Sequence, residues 1–357
     1  VGGVTRGNGC PVRVGLIGVG YIGQIAHLAN YAGMEGCEVT AIAEIRPGLR
    51  DAVQAHYDIP QAFTSHQELL DNADLDAVVA VTRRHHTGPV ALDCLNAGKH
   101  LLTEKPMAAT LGQAETLAQA AKAAGVKYAI GYMKRHDEGV QLAKGLVEGF
   151  MAEGELGPLT FARFYCFQGD AFYDPALPVG LGEERPKGLE SWAVAPDWLP
   201  RELHADYDNF MNVYAHDINL MRYLLGATPS VVHLDYRAKA GSVALFDFGD
   251  FPAVLEFGMF EHGNWCEGVE IFFQRGRLTV ELPPPLLNGT PARVTLQRGG
   301  EGNEIETFET KQSWSFRRQA QAFVDNIRDD HDAPLASGED AVEDIRLAET
   351  LWKCLVK

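Results

Sequence analysis

Residues 12–23, VRVGLIGVGYIG, decide the fold. Val12, Val14, Leu16 and Ile17 form a short apolar run suited to a buried strand, and Gly18, Gly20 and Gly23 follow in G-x-G-x-x-G spacing. Each glycine answers a separate demand of a dinucleotide-binding turn. The first permits the tight turn, the second lets backbone approach a pyrophosphate, and the third lets the next helix pack closely on the strand. That helix is expected to begin near Tyr21, directing its free N–H groups and its dipole at the phosphate charge. The context supports the motif: a strand precedes it, the helix-like segment QIAHLANYA follows, and a second apolar run from Glu38 ends at Glu44. Glu44 lies 21 residues past Gly23, where a ribose-binding acid is expected. Gly18, Gly20, Tyr21, Ile22, Gly23 and Glu44 are therefore candidate cofactor contacts. Because a carboxylate repels a 2′-phosphate, NAD is expected over NADP, with Arg46 partly offsetting that charge.

Outward from this motif, residues 11–131 alternate strand and helix patterns. Strands are expected at 12–17, 38–43, 77–82, 100–103 and 127–131, separated by helices near 21–32, 48–56, 66–71, 88–97 and 110–124. This is the pattern of an α/β, doubly wound parallel sheet. Residues 1–131 are read as the dinucleotide-binding Rossmann domain, with 1–10 a loose tail, and residues 132–357 as a second, α+β domain. There the pattern predicts a helix over 136–152, a strand over 159–168, and an irregular stretch over 169–205. Trp192 and Trp198 favour reading that stretch as an ordered lid. A helix near 208–225, short strands over 230–309 forming one large open antiparallel sheet, and helices near 315–328 and 338–355 complete the reading.

The 357 residues carry a net charge of −17, which argues against nonspecific binding to nucleic acid or an anionic membrane surface. No apolar run approaches the roughly 18 residues of a membrane span. The N-terminal stretch shows no secretory h-region. Six scattered cysteines without a C-x-x-C fit buried thiols of a reducing compartment. A cytoplasmic protein is expected.

A second motif, LLTEKPMA at 101–108, follows the fourth parallel strand. Ligands bind at the carboxyl ends of such strands, so Glu104 and Lys105 are expected at the cofactor cleft. A lysine there can hold a substrate hydroxyl and stabilise the alkoxide that develops as hydride leaves.

The order of G-x-G-x-x-G, an acid after the second strand, AGKHLLTEKP, HDINLMRYLLG and a large sheet resembles the Gfo/Idh/MocA family of NAD(P)-dependent sugar and polyol oxidoreductases. The resemblance runs from Val12 to the closing SGEDAVEDIRLAETLW. It implies that Lys105 contacts the reacting hydroxyl and the nicotinamide region, and that the bond before Pro106 is cis. It implies that His216, the histidine of a D-x-x-x-H-x-x-D pattern, is the general base. Asn212 and Asn219 stand where the family carries aspartates; Asn212 can hydrogen-bond a hydroxyl but cannot take a proton. Asp217 points about 100° away around a helix, whereas Asp208 lies one turn before Asn212. Where the family reads T-P-N-x-x-H, this chain keeps Thr82 but has Arg83 and Arg84, one of which is a candidate contact for pyrophosphate or an anionic substrate. In GYMKRHDEGV, Lys134 or Arg135 is expected to contact substrate or cofactor; Arg163 and Gln168 are lesser candidates. The resemblance also implies that the second domain binds the substrate and pairs copies through its large sheet, as a homodimer or homotetramer.

His204, Asp206 and Asp208 have a spacing that on a strand would put metal ligands on one face, but a polar entry to a helix is the simpler reading. His85 and His86 are adjacent and on a strand would diverge, and no metal is expected. The expected activity is oxidation of a secondary alcohol of a sugar, cyclitol or related polyol. A non-catalytic dinucleotide sensor and an NAD-assisted lyase or hydrolase remain as alternatives, because fold does not fix function.

Overall fold

A computed structural model describes residues 10–169, 175–180, 182–238, 240–261, 265–299, 304–329 and 334–356. The loose tail expected at 1–10 lies, apart from Cys10, outside them, as do parts of the expected lid. The chain divides into two compact units. One comprises Val1–Gly131, Pro175–Val194 and Phe316–Val342; the other comprises Tyr132–Asp174, Ala195–Ser315 and Glu343–Lys357.

The first unit is built on the parallel strands β1 (Val12–Ile17), β2 (Cys37–Ala43), β3 (Gln61–Phe63), β4 (Ala77–Ala80), β5 (His100–Thr103) and β6 (Tyr128–Ile130), in the order β6-β5-β4-β1-β2-β3. Ala336–Ser337 adds an antiparallel edge to β6. The central strands are covered on both faces, so Val14, Leu16, Ile42, Val79 and Leu102 are fully buried and their segments read as unbroken apolar runs. β3 and the returning edge carry no such signal: β3 is three residues long and none of them is fully buried. The helix after β1 contains a π-helical turn, Gly23–Leu28, before Ala29–Tyr31. Helix Arg84–Asn96 starts earlier than the expected 88, because Gly88 and Pro89 fall inside it rather than opening it. Thr110 and Gln113 form a capping box on Leu111–Ala124, and Gly125 closes that helix in the left-handed conformation.

In the second unit, β7 (Leu159–Gln168), β8 (Ser230–Asp235), β9 (Ser242–Asp247), β10 (Pro252–Met259), β11 (Cys266–Phe273), β12 (Gly276–Leu282), β13 (Arg293–Arg298) and β14 (Ile305–Phe308) form one sheet in the order β14-β13-β12-β11-β7-β10-β9-β8. The sheet is mostly antiparallel rather than wholly so, because β7 lies between β10 and β11 and runs parallel to β10. Ala162, Phe164 and Cys166 point into the core while Arg163 and Tyr165 alternate outward, as in a sheet covered on one face. The single helix expected near 208–225 is two helices, His204–Val213 and Ala215–Leu225, meeting at Tyr214.

The glycine turn sets a testable requirement. A Cβ on Gly23 would lie 2.2 Å from the Gly18 carbonyl oxygen, whereas one on Gly20 would meet only guanidinium ends, at 3.6 Å and beyond. Gly23→Ala is expected to lose about 1–3 kcal/mol of stability through overpacking, and Gly20→Ala less than about 0.5 kcal/mol. Urea unfolding of the two variants checks this; equal losses would contradict it.

Candidate functional site

At the carboxyl ends of β1, β2 and β4 the first unit holds a cleft of about 420 Å³. Gly18, Gly20, Tyr21, Ile22, Gly23, Glu44, Arg46, Thr82 and Arg83 all line it. Gly18 adopts φ +83°, and a Cβ there would lie 2.3 Å from the Val81 carbonyl oxygen, so the turn lies tight against the end of β4. Ser65, His66, Arg185, Leu189 and Glu190 also line the cleft, and no local pattern marks them. Residues 175–194 have no periodicity, and only tertiary packing brings them there.

Glu44 is buried, and its charge is matched. Oε1 accepts from Arg46 N (3.1 Å) and Nε (2.8 Å), while Oε2 accepts from Arg46 NH2 (3.0 Å) and Val19 N (3.2 Å). Such a two-pronged guanidinium–carboxylate pair is strong and directional. The repulsion of a 2′-phosphate expected from Glu44 is thus offset within the same pair.

Beyond β5, Glu104 Oε1 meets His27 Nε2 at 2.7 Å, and Glu104 Oε2 accepts from the Lys105 backbone N–H at 3.2 Å. His27 belongs to the π-helical turn that begins at Gly23. The glycine motif and the lysine motif are therefore tied by one carboxylate. Lys105 is half-buried, and the Lys105–Pro106 bond is cis. Thr82 Oγ1 lies 3.0 Å from Thr87 Oγ1, and Arg83 is exposed at the start of helix Arg84–Asn96.

In the second unit His216 is half-buried near the start of helix Ala215–Leu225, with its ring edge-on to Tyr132 at 5.9 Å. Asn212 is half-buried on the preceding helix. Two basic residues of the turn Met133–His136 hold the His216 helix. Lys134 Nζ contacts Glu267 Oε1, beside Asp217, and Arg135 Nε donates to Asn219 Oδ1 at 2.7 Å. Asn219 Nδ2 in turn donates to Asp344 Oδ2 at 2.7 Å, and Arg222 pairs with the other Asp344 oxygen. An aspartate at 219 has no donor for that second bond. Arg163 is engaged on the outer face of the sheet by Glu256 and Glu270.

Cys166, Asp217 and Glu267 present ligand atoms within 4.8 Å of one another, all buried, a cluster the sequence did not show. Burial pushes the Cys166 thiol far up, whereas a metal ligand must be thiolate. Lys134 supplies the cation, and Trp265 Nε1 donates to Glu267 Oε2 at 2.8 Å. Burial likewise raises the Asp217 carboxyl well above its ordinary value; Lys134 opposes this and Glu267 adds to it. The metal-ligand spacing of His204, Asp206 and Asp208 assumed a strand; they lie on a helix, where alternate residues point about 200° apart. His204 Nε2 is 2.9 Å from the Leu199 carbonyl.

Residues 12–132 match the Gfo/Idh/MocA model, an oxidoreductase family with an NAD-binding Rossmann fold. Over that stretch the chain is similar to this family. It is 23% identical over 347 residues to myo-inositol 2-dehydrogenase of Thermotoga maritima, covering 92% of each chain. It is 31% identical over 225 residues to the uncharacterized oxidoreductase YdgJ of Escherichia coli, covering 63% of this chain and 60% of that one. The aldose–aldose oxidoreductase of Caulobacter crescentus shares the fold, with TM-score 0.73 and 20% identity over 96% of this chain and 97% of that one.

The buried pair predicts a stability signature. A carboxyl whose folded pKa is raised, such as Asp217, adds stability below its unfolded value near 3.9 and loses it as pH rises through the folded value. Asp217→Asn, which mimics the protonated acid, is expected to stay within about 1 kcal/mol of wild type at neutral pH. Lys134→Met strands buried Glu267 and is expected to lose about 3–5 kcal/mol there, and less in acid. Urea unfolding across pH checks both. A Lys134→Met loss independent of pH would contradict the ion pair.

Proposed function

We propose that the chain transfers hydride between a nicotinamide dinucleotide and a secondary alcohol or ketone of a sugar, cyclitol or related polyol. The observation that carries this reading is the position of Lys105, set at the carboxyl end of β5 by the Glu104–His27 pair. The cleft fits the dinucleotide: its size, the bare backbone of Gly20 and the polar groups at the end of β2 suit a ribose–phosphate chain. Both forms of the cofactor are admitted, since Glu44 is charge-matched by Arg46. When bound, the cofactor supplies the hydride acceptor or donor at C4 of its nicotinamide.

Lys105 Nζ holds the substrate oxygen and stabilises negative charge on it as the C–H bond breaks. His216 takes the hydroxyl proton in oxidation and returns it in reduction. Asn212 hydrogen-bonds a substrate hydroxyl. Lys134 and Arg135, expected as substrate contacts, serve as positioning residues: Arg135 holds Asn219 on the His216 helix, and Lys134 holds Glu267 beside Asp217 of that helix. Arg163 belongs to the outer face of the large sheet, through which copies pair as a homodimer or homotetramer. A cytoplasmic location agrees with the free state of all six cysteines; no helix among the described residues is long and apolar enough to cross a membrane.

A screen of polyols, aldoses and nucleotide sugars with NAD and NADP, followed by absorbance of the reduced cofactor, tests the activity. On the substrate it yields, Lys105→Ala is expected to reduce kcat by about 10²–10³, with the unfolding midpoint and cofactor affinity near wild type. His216→Ala is expected to abolish the limb over which alcohol oxidation rises with pH. Near-normal turnover in Lys105→Ala would contradict its role. Tightly copurified cofactor with no net reduction on any substrate would favour the NAD-assisted lyase or hydrolase instead.

A further inference from the structure

Residues 175–194 lie far along the chain from the parallel strands yet pack into the first unit. Hydrogen bonds anchor them there. Gln24, fully buried in the π-helical turn, exchanges two hydrogen bonds with the Val179 backbone, each 3.1 Å. Glu183 Oε2 accepts from Leu49 N at 2.7 Å, capping helix Pro47–Tyr57 from outside its own sequence. His86 Nδ1 is 2.6 Å from the Glu190 carbonyl. Trp192 N donates to the His85 carbonyl at 2.8 Å, the acceptor that Pro89, lacking an N–H, leaves open inside its helix. Gly88 completes the notch: a Cβ there would lie 2.1 Å from the Trp192 ring. Gly88-Pro89 is thus a seat for the strap rather than a helix start.

Arg185 sits between the Glu183 and Glu190 anchors and lines the cleft. Its NH2 lies 4.0 Å, and that of Arg46 3.6 Å, from where a Cβ on Gly20 would stand. Both guanidiniums therefore face the glycine whose bare backbone is the approach surface for dinucleotide phosphate. Arg83 lines the same cleft, and among the described residues no ion pair engages Arg83 or Arg185. Partial loss of hydration, then the charges of Arg83 and Arg46, hold the Arg185 pKa below its ordinary value, although the side chain remains exposed. An anion placed among these three cations relieves that repulsion.

We propose that Arg185 is a cofactor-binding residue delivered by the strap, its guanidinium taking a phosphoryl oxygen of the dinucleotide above Gly20. This rests on the assignment of the cleft to a nicotinamide dinucleotide. The oxygen belongs to the 2′-phosphate, present only in NADP(H), or to the pyrophosphate, present in both cofactors. A guanidinium–phosphate contact is charge-assisted and specific in geometry.

The experiment is fluorescence titration of NADPH and of NADH into wild type and Arg185→Ala, with thermal unfolding to verify that the exposed substitution leaves the fold intact. Loss of NADPH affinity by about tenfold or more, with NADH changed less than about twofold, assigns the 2′-phosphate. A comparable loss for both assigns the pyrophosphate. Either result supports the proposal. A wild type that binds a cofactor and an Arg185→Ala variant that binds both as well as wild type would overturn it, leaving the dinucleotide assignment standing. A wild type that binds neither cofactor would overturn that assignment, and the role of Arg185 with it.

Discussion

The backbone of Gly23 lies on the carbonyl of Gly18, so close that a single methyl group has no room. The first unit's chemistry hangs from that contact. It fixes where the π-helical turn begins, and that turn carries Gln24 and His27. Gln24 returns a hydrogen bond to the Val19 carbonyl and holds the strap at Val179. His27 grips Glu104, whose other oxygen holds the Lys105 backbone. One close approach thus sets the floor of the cleft, its strap and the position of the Lys105 backbone.

The second unit solves a different problem. The helix that carries His216 is clamped through its neighbours. Asp217 sits in the buried cluster with Glu267 and Lys134. Asn219 is used twice, accepting from Arg135 and donating to Asp344. Read as a missing acid, Asn219 looks like a loss of chemistry. Seen among its partners it is the side chain that can serve both, because an amide is donor and acceptor at once.

What was legible in the sequence follows from which forces act locally. Strands buried on both faces announce themselves as apolar runs, and the glycine spacing and the EKP segment are constraints written in adjacent residues. β3 was silent because its residues are not fully buried. The parallel pairing of β7 with β10 was hidden because strand order between distant segments leaves no local trace. The true start of helix Arg84–Asn96 was hidden because Pro89 lies inside it, where its missing N–H frees a carbonyl for Trp192. The charge of Glu44 was legible, but its cancellation needed the geometry of Arg46. Arg185 had no local signal, since its relevance arises only when the strap folds over the cleft.

The proposed activity stands on direct hydride transfer at a carbinol carbon. Its most direct test uses reduced cofactor carrying deuterium at the transferable C4 position, incubated with the enzyme and the keto form of its substrate, followed by mass spectrometry and NMR of the product. The account predicts one deuterium bonded to the new carbinol carbon, and none there in Lys105→Ala over the same interval. Product whose carbinol hydrogen comes from solvent, with the deuterium retained on the cofactor, would contradict it.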